Sequence, residues 1–205
     1  MKKILFIVFA SLLGLNAPAF AKDTSIINGN THLNKEEYDS LKVNGNLTFK
    51  DLEIKNALSI NGNIHGKNLK CKTIESKGSF DVDGLQAQSV ESNGFFTGKN
   101  VDITGESKFN GALEIKNGKL HDIQIVSTRS TFVDTQINGN IHVKKVNKGR
   151  NFFGLKSNES SAQVLELKGN SLATGDIFFE EEGEVHLFDG AKVRGKVVNA
   201  KVIQK

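Results

Sequence analysis

The chain repeats itself in five consecutive rows: LKVNGNLTFKDLEIKNA (41–57), LSINGNIHGKNLKCKT (58–73), IESKGSFDVDGLQAQS (74–89), VESNGFFTGKNVDITGE (90–106) and SKFNGALEIKNGKLHD (107–122). IQIV (123–126) opens a sixth row, and one glycine keeps the same place in all five, as Gly45, Gly62, Gly78, Gly94 and Gly111. Apolar residues occupy every second position on either side of this glycine, which places their side chains on one face of a strand. Repetition with a fixed period indicates one supersecondary unit stacked on copies of itself.

A row of sixteen or seventeen residues is too short for helices, but it fits one coil of a single-stranded parallel β-helix. Each short strand then pairs with its equivalent one row along, about 4.8 Å away. We predict an all-β fold of this kind, right-handed because parallel connections are generally right-handed. Side chains in one row position form a file, such as Phe49, Gly66, Val82, Gly98 and Ile115. Four side chains in particular should point inward: Leu47, Ile60, Phe80 and Leu113.

The segment before the rows, residues 22–40, is predicted to be an N-terminal cap for a β-helix domain of residues 41–205. Ile26-Ile27-Asn28-Gly29-Asn30 repeats the row motif and predicts a first, irregular strand. Asn34-Lys35-Glu36-Glu37 has the form of a capping box, which predicts a short cap helix from about Lys35 to Leu41. A stacked fold needs a cap because an open terminal coil exposes core side chains and unpaired backbone. The terminal coils are also where copies of the chain would associate into a homo-oligomer.

Residues 1–21 have the pattern of a secretory signal peptide. Lys2 and Lys3 precede an apolar run, Ile4–Leu15, and Ala19-Phe20-Ala21 matches a cleavage site. The run is too short to span a bilayer and no later stretch is apolar enough, so we expect no stable membrane span. The mature chain would then be exported, to the periplasm or to the outside of the cell. Its charges alternate with apolar residues and nearly balance, which argues against a nucleic-acid partner.

The pattern is interrupted twice in the second half of the chain. The register is predicted to slip in STRSTFVD (127–134) and to return in INGNIH (137–142), which repeats residues 60–65 letter for letter. NKGRNFFGLKSNESSAQ (147–163) fits no row and is predicted to be an inserted loop, after which alternation resumes at Val164. Loops on a rigid scaffold often carry binding residues, so the candidate interaction residues are Lys148, Arg150, Phe152 and Phe153. The alternative is that the two Phe side chains fold back and cover the stack.

Residues able to carry chemistry are scattered along the rows. Asp81 and Asp83 lie one strand step apart and Asp102 lies in the next row, which is the best candidate for the converging acids of a glycosidase. The histidines (His32, His65, His121, His142 and His186) lack the spacing of a metal site. Glu180–Glu184 is predicted to be a solvated turn between strands, and the alternative is a Ca²⁺ site formed with Asp176 or Asp189. The single cysteine, Cys71, shares a row position with Ile54 and Ile103 and is predicted to be a buried apolar residue. No cofactor is indicated.

The (I/V)-N-G-N rows and the segment GDIFFEEEGEVHL (175–187) resemble small exported bacterial proteins of parallel β-helix type, a group without an assigned activity. The likeness covers roughly residues 27–202 and implies the fold, not a chemistry. Bactofilins, which are polymer-forming bacterial scaffolds, are similar in part, through segments such as Gly195-Lys196-Val197. They are cytosolic, so the signal peptide departs from their pattern. Passenger domains of autotransporter adhesins are similar in coils such as Gly175-Asp176-Ile177.

These features predict an exported, non-enzymatic β-helix that presents a surface to a protein or a glycan, or that assembles with itself in the cell envelope. The alternative is a polysaccharide-active enzyme, a lyase or hydrolase, on the same scaffold. Outward acids converging from neighbouring coils would favour the enzyme.

Overall fold

The computed structural model describes residues 24–146 and 162–205 of the 205-residue chain. The proposed signal peptide and most of the inserted loop lie outside these ranges. All described elements are strands: β1 (Ser25–Asn28), β2 (Thr31–Tyr38), β3 (Leu41–Asn44), β4 (Leu47–Ile103), β5 (Ser107–Asn110), β6 (Leu113–Leu120), β7 (Ile123–Val126), β8 (Arg129–Val133), β9 (Gln136–Ile137), β10 (Ile141–Val143), β11 (Gln163–Lys168), β12 (Leu172–Ala173), β13 (Ile177–Leu187), β14 (Lys192–Val193) and β15 (Val197–Gln204). Within the two ranges, no helix has the length and hydropathy needed to cross a membrane.

The strands join one parallel sheet that winds on itself as a β-solenoid of about ten turns. Successive coils are offset by 16 residues at Ser25↔Leu41 and by 17 at Leu41↔Leu58. The offset grows to 18 at Ile123↔Ile141 and to 20 at Ile177↔Val197. The predicted parallel β-helix is therefore confirmed. Each coil has three short segments, and β4 is long because its extended path continues through the corners of several coils.

We name three faces by their segments in one coil. The first face contains residues 41–44, the second residues 47–50 and the third residues 52–55, each with its stacked equivalents. Along every face, alternate side chains point into the stack or outward, as the burial pattern of β4 shows. The first corner lies between the first and second faces, and the second corner lies between the second and third.

The interior is a mainly apolar column, in which Ser76, Ser92, Ser107 and Ser130 also occupy buried inward positions. Leu47, Ile60, Phe80 and Leu113 are each at least 96% buried, which confirms their predicted inward direction. Phe80 and Phe96 stack on the second face at a centroid distance of 5.2 Å, and Phe109 of the first face packs against Phe96 at 4.9 Å. Large side chains above one another on successive coils exclude water along the whole axis, and this burial is the main stabilising term of the fold.

The repeated glycine forms the first corner. Gly45, Gly62, Gly78, Gly94 and Gly111 all have φ between 125° and 143°, a region that favours glycine. A Cβ on any of them would lie 2.0–2.3 Å from the carbonyl oxygen of the glycine one coil earlier. The coils can stack closely at this corner only because these residues lack a side chain.

The second corner uses residues at positive φ, most of them Asn or Asp: Lys35, Asp51, Asn68, Asn100, Asn117, Asp134 and Asp189, with Gly84 and Gly169 in the same file. Asn and Asp tolerate this conformation because their side chains bond locally. Asn68 Nδ2 donates to Asp51 Oδ1 at 2.6 Å, and Asn100 Nδ2 donates to Asp83 Oδ1 at 2.7 Å. These amides join one coil to the next along the corner.

The predicted cap helix from about Lys35 to Leu41 is wrong. Residues 31–38 form β2, which pairs with β4 so that Leu33 lies beside Phe49 and Tyr38 beside Ile54. Lys35 has φ 52° and takes the second-corner position. Stacking buries two large side chains that a short helix would leave out of the column, and this outweighs the capping-box pattern. The predicted first strand is confirmed as β1.

The predicted register slip at residues 127–134 is confirmed as one extra residue after Val126, since Asn110 pairs with Val126 but Leu113 pairs with Ser130. The predicted return of the register at INGNIH is wrong. β8 pairs with β6 without interruption, and Ser130 and Phe132 take the positions of Leu113 and Ile115. Ser127 forms the first corner in place of glycine, with its Oγ donating to the carbonyl oxygen of Arg129 at 2.7 Å. Because the coil is one residue longer here, Ile141 stacks on Ile123 in the first face. In residues 60–65 the same letters span the first corner instead, so identical hexapeptides occupy different places.

Candidate binding face

The third face carries an open groove that runs along the solenoid. Alternation points Lys70, Gln86, Asp102 and Lys119 outward in one row, while Leu69, Leu85 and Val101 are buried beneath them. The groove has a volume of about 500 Å³ and is lined by Asn68, Leu69, Lys70, Gly84, Leu85, Gln86, Asn100, Val101, Asp102, Asn117 and Lys119. Four coils contribute to it, so its polar groups repeat at about 4.8 Å.

One edge of the groove is the second corner. Its amides are held in a ladder, since Asn117 Nδ2 donates to Asn100 Oδ1 at 3.4 Å and Asn100 donates in turn to Asp83. Positive φ at both asparagines fixes the backbone that carries these side chains. The edge is therefore a preformed row of amides, each with further donor or acceptor capacity for a ligand.

The depression continues beyond the row, toward the far edge of the third face. This second part has a volume of about 600 Å³ and is lined by Glu53, Ile54, Lys55, Lys70, Cys71, Lys72, Gln86, Ala87, Gln88, Asp102 and Thr104. Lys70 and Gln86 border both parts, so the whole face is one shallow surface of amides, ammonium groups and a few carboxylates.

The charges of this face are mostly paired or separated. Lys70 Nζ lies 2.9 Å from Glu53 Oε1, and Lys55 Nζ lies 2.7 Å from Glu37 Oε1. Asp102 is beside Lys119 in the ladder. Glu53 and Asp102 are the acids that line the two parts, and they stand three coils apart, about 14 Å at 4.8 Å per coil. A glycosidase pair needs about 5–9.5 Å.

The four candidate interaction residues, Lys148, Arg150, Phe152 and Phe153, lie outside the described residues. The residues on either side of this segment are described, and Gln163 links them to the stack by hydrogen bonds. Gln163 Nε2 donates to the carbonyl oxygen of Lys144 at 2.9 Å and to that of Ser127 at 2.8 Å. Across the insertion the ladder continues from Ile141 to Ile177. The coils therefore continue in register on both sides of the inserted segment.

Of the acids named as enzyme candidates, Asp102 is not brought together with Asp81 and Asp83. Asp81 and Asp83 belong to the second face, where Asp81 Oδ2 lies 2.8 Å from His65 Nδ1 and Asp83 accepts from Asn100. Asp102 belongs to the third face and pairs in register with Lys119. A corner of the solenoid separates them because the second face ends at the positive-φ residue between the two segments.

The histidines and the acidic run use their polar atoms within the stack. His65, His121 and His186 each lie within 2.7–2.8 Å of a carboxylate oxygen, from Asp81, Asp122 and Glu184 respectively. In the run, Glu180 accepts from the backbone N–H of Lys145, and Glu181 pairs with the Lys145 ammonium. In residues 24–146 and 162–205, no three His, Cys, Asp or Glu side chains are arranged to hold a metal ion.

Cys71 is 4% exposed, which confirms its predicted burial. Its Sγ lies 3.1 Å from the carbonyl oxygen of Thr73, and burial raises the pKa of the thiol to about 11. Because the thiolate is the reactive form, burial and the raised pKa both disfavour reaction of this thiol at neutral pH.

One buried charge escaped the sequence reasoning. Glu166 lies at an outward position of the second face, yet its side chain is only 6% exposed. Its oxygens accept from Arg129 Nη1 at 2.9 Å, Thr131 Oγ1 at 3.0 Å and Lys168 Nζ at 2.9 Å. Burial raises its pKa, but the bonds from Lys168 and Thr131 and the charges of Lys168 and Arg129 outweigh burial, so the pKa is lowered. The ionised carboxylate joins neighbouring coils.

The third-face groove was also missed, although the sequence contains its signal. Amide and charged residues recur with the row period at outward positions: Lys70, Gln86, Asp102 and Lys119, and Asn68, Asn100 and Asn117 at the corner. No family model matches this chain, and comparison with curated proteins and with solved structures found no match.

Proposed function

We propose that this chain is an exported, non-enzymatic β-helix that binds an extended glycan along its third face. The proposal depends on one observation, the open polar groove that crosses four coils. Pockets for small ligands are enclosed, whereas this groove is open, and amides and charged groups border it above the apolar residues Leu69, Leu85 and Val101. A polymer rich in hydroxyl groups fits such a surface better than a compact apolar ligand does.

The side chains of the groove suit sugar hydroxyl groups. Gln86, Asn100 and Asn117 offer both donors and acceptors, and Lys70 and Lys119 offer donors on long apolar stems. Their regular spacing along the axis lets one chain molecule make similar bonds on several coils. Affinity then comes from many weak contacts, while the entropy lost in ordering the glycan is spread over all of them.

Binding without cleavage is favoured by the arrangement of the acids. A retaining or inverting glycosidase needs two carboxyl groups across the scissile bond. Glu53 and Asp102 are too far apart for either geometry, and Glu53 is already paired with Lys70. Asp81 and Asp83 face another side of the solenoid.

Export is supported by the first residues of the chain, through the basic pair Lys2-Lys3, the apolar run and Ala19-Phe20-Ala21. If the chain is processed there, mass spectrometry of the protein from its native cells will show Lys22 as the first residue and the periplasm or medium as the location. Full-length protein in the cytosol would refute this part of the proposal.

The function is tested by affinity electrophoresis in gels that contain neutral or acidic polysaccharides. Wild-type protein should be retarded by at least one of them, and Gln86→Ala or Lys119→Ala should weaken retention roughly twofold to tenfold per lost hydrogen bond. Lys50→Ala, an exposed lysine on the second face, is the matched control and should have no effect.

The electrophoresis has two contrary outcomes. Equal weakening by Lys50→Ala would place the binding surface elsewhere, and no retention by any polysaccharide would remove the proposal. New reducing or unsaturated ends in the polysaccharide after incubation would instead establish the enzyme alternative.

A further inference from the structure

Four of the five large apolar side chains exposed in the described residues lie in the outermost coils or one coil from the end, and the fifth, Phe95, is 65% exposed in a middle coil. Ile26 belongs to the first coil and is 47% exposed, while Val198 and Val202 belong to the last coil and are 41% and 49% exposed. Phe178, one coil before the end, is 40% exposed and lies beside Val198 in the ladder. The equivalent of Val202 one coil earlier, Val185, is fully buried. The last coil therefore presents core-type surface and, within the described residues, β14 and β15 pair only with earlier strands.

The two ends also carry opposite charge. Residues 190–205 contain five cations and no acid: Lys192, Arg194, Lys196, Lys201 and Lys205. Residues 25–40 contain three acids and one lysine: Glu36, Glu37, Asp39 and Lys35. In the described chain, no carboxylate lies within ion-pair distance of Lys192, Arg194 or Lys201. Opposite ends therefore attract, whereas two C-terminal ends would repel.

The ladder gives this attraction a register. Along the third face, Lys192 follows Leu172 and Gln136, and at the other end of the same row Glu53 follows Glu37. A second copy that continued the solenoid would therefore place its Glu37 beside Lys192. One step further along the coil, its Asp39 would lie beside Arg194. On the first face, its Ile26 would lie beside Val198, because Ile26 begins the outward row that Phe178 and Val198 end.

We propose that the processed chain, which begins at Lys22, associates head to tail with copies of itself, the last coil of one copy stacking on the first coil of the next. This goes beyond glycan binding and uses other residues. The contact forms backbone hydrogen bonds along the free edge of β14 and β15, buries Val202 and the Ile26–Val198 row, and pairs the charges in register. Because the contact is heterologous and each copy keeps a free end, association continues past the dimer.

Lysines on an edge strand have another established role, since they commonly prevent edge-to-edge pairing. The two roles predict opposite results when the charges are removed. If Lys192 and Arg194 protect the edge, Lys192→Gln with Arg194→Gln promotes association. If they pair with Glu37 and Asp39 of the next copy, the same variant weakens it.

The test is sedimentation velocity of the processed chain over a range of concentrations and salt. We expect species larger than the dimer that grow with concentration and diminish with salt. Lys192→Glu with Arg194→Glu should leave only monomer, and adding Glu37→Lys with Asp39→Lys in the same chain should restore the large species. The control is Lys77→Glu with Lys108→Glu, which changes the net charge equally on exposed residues of middle coils and should associate like wild type.

Three results would overturn the proposal: a monomer at every soluble concentration, a species that stops at the dimer, or stronger association of the Gln variant. Melting curves verify that each variant is folded, since Glu37→Lys also removes the pair with Lys55. Glycan retention by the Lys192→Glu, Arg194→Glu monomer separates the two proposals, because the third-face groove contains neither residue.

Discussion

Substitution of Gly78 by alanine tests the stacking of the first corner. The new Cβ would lie 2.1 Å from the carbonyl oxygen of Gly62, with φ at 125°. A residue with a Cβ in this conformation costs about 1–3 kcal/mol. Moving the two coils apart weakens two adjacent ladder hydrogen bonds, at about 1 kcal/mol each. We therefore expect Gly78→Ala to lower the free energy of unfolding by roughly 3–5 kcal/mol.

Gly29→Ala is the matched control, because Gly29 has φ 95° but no atom within 4 Å of its added Cβ. Gly29→Ala should lower the free energy of unfolding only by the cost of the backbone conformation, about 1–3 kcal/mol. Urea unfolding followed by the β-strand band of the circular dichroism spectrum measures both values. The comparison holds when the dependence of the free energy of unfolding on urea concentration is the same in both variants. Equal losses for the two variants would refute the close approach of the coils at Gly78.

Further predictions follow from single features of the stack. Ile60→Asp puts an unpaired charge into the column and should cost several kcal/mol, so an unchanged melting temperature would contradict the register. Cys71 should resist iodoacetamide at pH 8 in the folded protein and react after unfolding, since its thiol is buried with a pKa of about 11. Rapid labelling of the native protein would instead show that the third face opens around Cys71. Glu166 has a lowered folded pKa, so its stabilisation is present above the unfolded pKa and is lost as pH falls through the folded value. The difference in free energy of unfolding between wild type and Glu166→Gln should therefore shrink below about pH 4. A difference that does not depend on pH would contradict the charged network. Replacing residues 147–161 by a short Gly-Ser linker should leave the melting temperature nearly unchanged, because the ladder continues from Ile141 to Ile177. A large drop in melting temperature would show that this segment packs on the stack. Lost partner binding at an unchanged melting temperature would make the segment the contact site.

The repeating part of the fold could be predicted because its signal is local. Alternation around Gly45 and its equivalents sets which side chains enter the column, and the period sets the pairing. The cap helix was mispredicted because Asn34 to Glu37 satisfies a short-range rule, while pairing with residues 50–53 decides the conformation. Local propensity is a weak prior when stacking buries residues such as Leu33 and Tyr38.

The place of INGNIH was mispredicted for a different reason. Ser127 closes the first corner with its own hydroxyl, and Ser130 occupies a core position, so neither glycine nor an apolar residue marks the register. The identical hexapeptides show the same limit, because the number of residues per coil, not the motif, decides where each one lies.

The candidate site was harder to predict than the fold. A groove arises from the curvature of four coils and the height of their corners, and the sequence of a single row does not contain this information. The burial of Glu166 likewise depends on Arg129, a neighbour 37 residues away in sequence. The outward row from Lys70 to Lys119 can be recognised in the sequence, but the depth of the groove along it cannot.

The most direct test of glycan binding by the third face is a nuclear magnetic resonance titration of the labelled protein with a polysaccharide that retards it. We predict that chemical-shift changes follow the side-chain amides of Gln86, Asn100 and Asn117 and the backbone of residues 68–72, 84–88 and 100–104. The second-face lysines Lys50 and Lys116 should not respond. Changes centred on the second face or on Lys144 and Gln163, with the third face silent, would contradict the proposed function.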